Sequence, residues 1–167
     1  VDPDRPADAH ALWRTLGVLR SRQISHGDLR VDDIRIDEDG TALLGGFDTA
    51  ELGASQAQLH SDAAQLLLTT ASLYGPDVAV DAAIDRLGPA DVLTASRRLT
   101  PSAIPTRVRR AVHDAKGVLT ATRDTVLART GTSAIATEQV TRFSRNQIVQ
   151  LVLLIALVYV AYPFISQ

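Results

Sequence analysis

Apolar positions recur at helical spacing early in the chain and then switch to alternation. Over residues 7–23, Leu12, Leu16 and Leu19 stand three and four apart, with Ile24 just beyond and arginines on the other faces, which predicts an amphipathic helix. Trp13 in this stretch is either a packing residue or part of a groove. The preceding residues 1–7 are rich in Pro and Asp and read as a frayed lead-in. Residues 25–33 are polar and read as a loop. Ile34-Arg35-Ile36-Asp37 then alternates, Glu38-Asp39-Gly40 supplies a turn, and Thr41-Ala42-Leu43-Leu44 returns. That is a β-hairpin pattern, because Asp-Gly readily takes the positive φ of a tight turn. Gly45-Gly46 breaks the second strand.

After Gly53 the chain reads as helical. Ser61-Asp62 offers an N-cap for an apolar run over residues 63–74, which Gly75-Pro76 ends. A second helix is expected over 77–87, closed by Gly88-Pro89, and a third over 90–99. Pro101 and Pro105 interrupt, and one long helix is then expected over 106–130, weakened at Gly117 and ended by Gly131. Two strands do not make a stable sheet by themselves, so the hairpin must lie against helices or against a preceding segment. The expected class is mainly α.

Residues 148–165 read IVQLVLLIALVYVAYPFI, with Gln150 the only strongly polar side chain. Eighteen residues make a helix of roughly 27 Å, just enough to cross a hydrocarbon core. The reading is a transmembrane helix, against a buried or interfacial helix as the alternative. Arg142 and Arg145 lie immediately before it, Arg123 and Arg129 further back, and no basic residue follows. The positive-inside rule therefore puts residues 1–145 in the cytoplasm, with the anchor in the plasma membrane. Tyr159 and Tyr162 suit an aromatic belt, and Pro163 suggests a loop leading to further spans. The start at Val1 without Met suggests a piece of a longer protein. The expected organisation is a domain over 1–131, a juxtamembrane linker over 132–145 and the span over 146–167.

Composition narrows the chemistry. A formal charge of −2 and a pI near 6.1 argue against a nucleic-acid partner. With no cysteine there are no disulfides, thiolate metal sites or thiol nucleophiles. His10, His26, His60 and His113 form no close pair at metal-ligand spacing.

One constellation carries chemistry. His26-Gly27-Asp28-Leu29 lies between the first helix and the hairpin, with Asp33 just before the first strand. The spacing matches the kinase catalytic loop H-R-D-L-x-x-x-N, and glycine after the histidine is the form of aminoglycoside- and choline-kinase-like enzymes. The chain thus resembles the kinase-like superfamily, and the resemblance implies a protein-kinase-like C-lobe, helices plus a catalytic-loop hairpin, followed by one transmembrane helix. It implies Asp28 at the base position, His26 as a brace of the loop, and Asp33 at a magnesium position normally held by Asn. An ungapped match of the D-F-G motif puts Gly46 at the metal aspartate, Phe47 at the Phe and Asp48 at the Gly; a shift by two residues would make Asp48 the ligand. Asp62 resembles the buried aspartate that accepts backbone hydrogen bonds from the catalytic loop, or is a plain N-cap. No glycine-rich phosphate loop or strand lysine can be placed upstream.

Residues 50–67 and Leu87-Gly88-Pro89-Ala90, with the arginine-flanked span, look like large actinobacterial membrane proteins that fuse a cytoplasmic kinase-like domain to a flippase-like, lysylphosphatidylglycerol-synthase-type membrane region. The resemblance implies a pseudokinase module that regulates or scaffolds the membrane part, with membrane lipid, the remaining spans and other envelope proteins as partners. On this reading no cofactor is bound. The alternatives are an active small-molecule or lipid phosphotransferase using Mg-ATP, with Asp28 as base and Asp33 and Asp48 on magnesium, and a non-enzymatic helical anchor.

Overall fold

A computed structural model describes residues 6–131. The expected linker and membrane span lie outside them, and among the described residues no helix is long and apolar enough to cross a membrane. The architecture is mainly helical. Helix α1 (Pro6–Ser21) leads into strand β1 (Ile24–Ser25), the hairpin of β2 (Ile34–Ile36) and β3 (Ala42–Leu44), and β4 (Glu51–Leu52). Five helices follow: α2 (Gln56–Tyr74), α3 (Pro76–Leu87), α4 (Pro89–Ser96), α5 (Thr106–Arg110) and α6 (Ala115–Thr130).

Helix α3 touches α1, α2, α4 and α6. Its Ala79, Ala82 and Ala83 are fully buried, and such small side chains let neighbouring helices approach closely. Around it pack Leu12, Trp13 and Leu16 of α1, Leu66 and Leu67 of α2, Val92 of α4 and Val126 of α6, all fully buried. Trp13 is therefore a core residue. Between α1 and α3, Gly17 lies so close to the Arg86 guanidinium that a Cβ there would collide with it.

The hairpin forms with Ile34 opposite Leu44 and Ile36 opposite Ala42. Asp37 closes its turn, its Oδ1 accepting from the Thr41 N–H at 2.7 Å, and Gly40 takes φ 77°. Ile34, Ala42 and Leu44 are buried, with β3 lying against α1, so helices do supply the hairpin's second layer.

Three expectations need correcting. Helix α2 starts at Gln56, not near residue 63, because Ser55 and Gln58 form a capping box. Ser55 Oγ accepts from the Gln58 N–H at 3.3 Å and Gln58 Oε1 from the Ser55 N–H at 2.9 Å. Asp62 therefore sits inside the helix and is not its N-cap. The long helix over 106–130 is two helices, since Asp114 turns left-handed (φ 48°, ψ 50°) and caps α6 by accepting from the Gly117 N–H at 3.2 Å. Gly117 is thus no weak point: its missing side chain makes room for the capping carboxylate. Finally, the loop after α1 opens with an unexpected two-residue bridge in which Ile24 pairs with Leu52 and Ser25 with Glu51.

Candidate functional site

The loop from His26 to Asp33 is held chiefly by one face of α2. Asp62, Gln65 and Thr69 stand three and four apart, so they line one stripe of the helix, and all three are buried. Asp62 Oδ2 accepts from the His26 N–H at 2.6 Å and its Oδ1 from the Gly27 N–H at 2.9 Å. Gln65 Oε1 accepts from the Leu29 N–H at 3.0 Å, and Thr69 Oγ1 donates to the Leu29 carbonyl at 2.6 Å. From the other side Thr49 Oγ1 donates to the His26 carbonyl at 2.7 Å. A buried loop must satisfy its backbone polar groups, and here side chains do it in place of a ladder.

His26 ties this loop to the end of the hairpin. Its Nε2 lies 2.8 Å from the Gly45 carbonyl, and because a carbonyl only accepts, that nitrogen carries the proton. The ring packs at 50° on Phe47, with centroids 4.7 Å apart. His26 is fully buried and joins the loop to the end of the hairpin through these two contacts.

The carboxylates of the loop face guanidinium groups. Arg30 Nε and Nη2 donate to the two oxygens of Asp33 at 3.0 and 3.1 Å, a forked pair. The same Nε lies 3.4 Å from Asp28 Oδ2, and Arg107 Nε approaches that oxygen at 3.5 Å from α5. Asp28 is buried, and its Oδ1 has no hydrogen-bond partner. Gly46 adopts φ 75°, and a Cβ there would lie 2.5 Å from the Asp33 carboxyl carbon. Any side chain at 46 would be strained in this backbone and would displace Asp33. Asp48 sits exposed in the helical turn Phe47–Thr49. A polar cavity of about 300 Å³ opens beside the loop, lined by Gly27, Thr49, Glu51, Ser61, Asp62 and Arg107.

Burial pushes the Asp62 carboxyl above its ordinary value, while the N–H groups of His26 and Gly27 and the charge of Arg20 pull the other way. The buried carboxyl is kept by its two backbone donors.

Asp28 and Asp33 both face Arg30, Gly46 offers no side-chain ligand, and among the described residues no group of three or more His, Asp or Glu is gathered as a metal set would be. Sequence reasoning passed over Arg30, Arg107, Gln65, Thr69 and Thr49. For Gln65 and Thr69 a signal existed, since polar residues at helical spacing from Asp62 interrupt an otherwise apolar helix face.

No family model matches this chain, and no curated protein or solved structure is significantly similar to it.

Proposed function

We propose that this chain is a kinase-like C-lobe without phosphoryl transfer, a regulatory or scaffolding module on the cytoplasmic side of an integral membrane protein of the flippase-like, lipid-related kind. The kinase-like part of the reading is supported by the H-G-D-L loop at a helix-to-hairpin junction, with the aspartate of the following helix bonded to its backbone. The membrane part is supported by the uncharged run at residues 148–165. The observation that carries the loss of chemistry is Arg30: its guanidinium pairs with Asp33, the residue the resemblance puts at a magnesium position, and lies beside Asp28, the residue at the base position, so an internal cation competes for both carboxylates. Gly46 adds to this, because its backbone and its contact with Asp33 exclude an aspartate there without rearrangement.

The opposing reading is a phosphotransferase with Asp28 as base. It has one observation in its favour, the buried Asp28 Oδ1 with no partner, which an acceptor hydroxyl would satisfy. Paramagnetic relaxation by Mn²⁺ separates the two. The unmodified chain is expected to show no Mn²⁺ site at Asp28 and Asp33. Arg30→Ala, which frees Asp33 and leaves Asp28 facing only Arg107, should gain one of weak affinity, about 0.1–1 mM. Mn²⁺ binding by the unmodified chain that is tightened by ATP and abolished by Asp33→Ala would overturn the non-catalytic reading.

A further inference from the structure

Between Arg97 and Lys116 the chain carries six basic side chains, Arg97, Arg98, Arg107, Arg109, Arg110 and Lys116, against a single acidic one, Asp114. This runs opposite to the whole chain, whose formal charge is −2. The segment links α4 to α6, and its fold turns the charges outward. Ile104, Val108 and Val112 are buried and pin it to the core. Arg97, Arg107, Arg110 and Lys116 are exposed, while Arg98 and Arg109 are half-buried. Arg109 is used locally, its Nε donating to the Ile104 carbonyl at 3.2 Å and its Nη2 to Thr106 Oγ1 at 3.2 Å, which braces the turn that presents the others. The lone acid, Asp114, caps α6 and leaves the segment with a formal excess of five positive charges.

We propose that this α4–α6 connection is a docking surface for the anionic phospholipid headgroups of the leaflet beside which the module is tethered, an inference that rests on the membrane reading of residues 148–165. Charge complementarity selects the occupant. A basic patch set on an acidic body is drawn to a negative surface while the rest of the domain is repelled, so the attraction also orients the module. Each basic side chain near an anionic leaflet contributes favourably within about one Debye length, and a tether holds the domain inside that range. Arg107 belongs both to this surface and to the cluster at Asp28, so the docked face adjoins the polar cavity.

The chain has no cysteine, so Ser102→Cys, at an exposed position within the connection, accepts a single dye. The labelled full chain is reconstituted into phosphatidylcholine nanodiscs with or without about 30% phosphatidylglycerol, and energy transfer to a headgroup acceptor is read. Transfer should rise with phosphatidylglycerol and fall back in about 0.5 M NaCl. It should also be lost in Arg97→Glu/Arg110→Glu/Lys116→Glu but kept in Arg14→Glu/Arg22→Glu/Arg35→Glu, which changes net charge equally from exposed positions elsewhere. Trp13 emission verifies that each variant is folded, and the salt titration needs no variant. Transfer indifferent to phosphatidylglycerol and salt, in a chain that stays in the disc, overturns the docking surface and leaves the membrane anchor standing. A chain that is not retained overturns the anchor, and co-sedimentation with the same lipids as vesicles then decides the surface. Binding that needs phosphatidylglycerol and drops on the order of a hundredfold on reversal of the three patch charges supports it, and no binding overturns it. Homopolymer RNA that binds through the patch more tightly than the vesicles do also overturns it.

Discussion

Asp62 shows how much one side chain decides here. Two buried or half-buried backbone N–H groups of the loop depend on its carboxylate, so Asp62→Ala should destabilise the fold by about 2–4 kcal/mol, read from urea unfolding followed by the emission of Trp13, the only tryptophan. Burial raises its native pKa above the ordinary 3.8, so between that value and the raised one the native state binds more protons than the unfolded chain. The stability this group contributes therefore falls as pH rises through that window and is level above it. The difference in unfolding free energy between the unmodified chain and Asp62→Asn should shrink as pH rises from about 4. A difference that grows instead would mean that the N–H donors outweigh burial. At this scale the sequence singles out His26 and Asp28 because they share a short motif, and the structure shows both buried in one loop. Arg30 escaped notice because a surface-type residue in a polar loop has no pattern to betray it; its meaning comes from Asp33, which the turn Val31–Asp33 folds back toward it, and from Asp28 two residues before it.

At the scale of elements, local signals compete and the better-satisfied one wins. The run after Gly53 carries two candidate helix starts, and Ser55 with Gln58 satisfies two end groups reciprocally where Ser61-Asp62 offers only one partner set. The split of residues 106–130 has a similar origin: α5 ends at Arg110 with Ala111 as its C-cap, and Asp114 caps the start of a separate helix, α6. Asp114→Ala should cost about 1 kcal/mol or more, through the lost cap and the strained left-handed backbone, whereas Asp114→Gly should cost less because glycine accepts that φ. Equal losses for the two in urea unfolding would sink this account of the break. The β1–β4 bridge was illegible for another reason. Two residues pairing across more than twenty positions have no period, and only the packing of the loop between them brings them together.

At the scale of the whole molecule, α6 is fastened back on α3. Val126 and Leu119 supply the apolar part, and Arg129 forks onto Asp81 at 2.8 Å and reaches Asp77 at 3.0 Å. These groups are exposed, so the attraction is screened. Arg129→Ala should lower the thermal midpoint slightly at low ionic strength, and the shift should vanish in about 1 M NaCl. A shift that persists in salt would mean the arginine acts by packing its stem, not by charge.

The linear order of residues was enough to determine a mainly helical body carrying one hairpin, the loop bearing His26 and Asp28, and an uncharged stretch near the end, because each is written in local period, turn chemistry or spacing. Only the three-dimensional arrangement decided what surrounds those carboxylates. It set Asp62, Gln65 and Thr69 against the loop, brought Arg107 in from α5, and placed Gly46 where a side chain would strike Asp33. The reason is physical: periodicity reports which face of an element is buried, whereas a charge pair or a steric exclusion exists only once distant segments share a few ångströms of space.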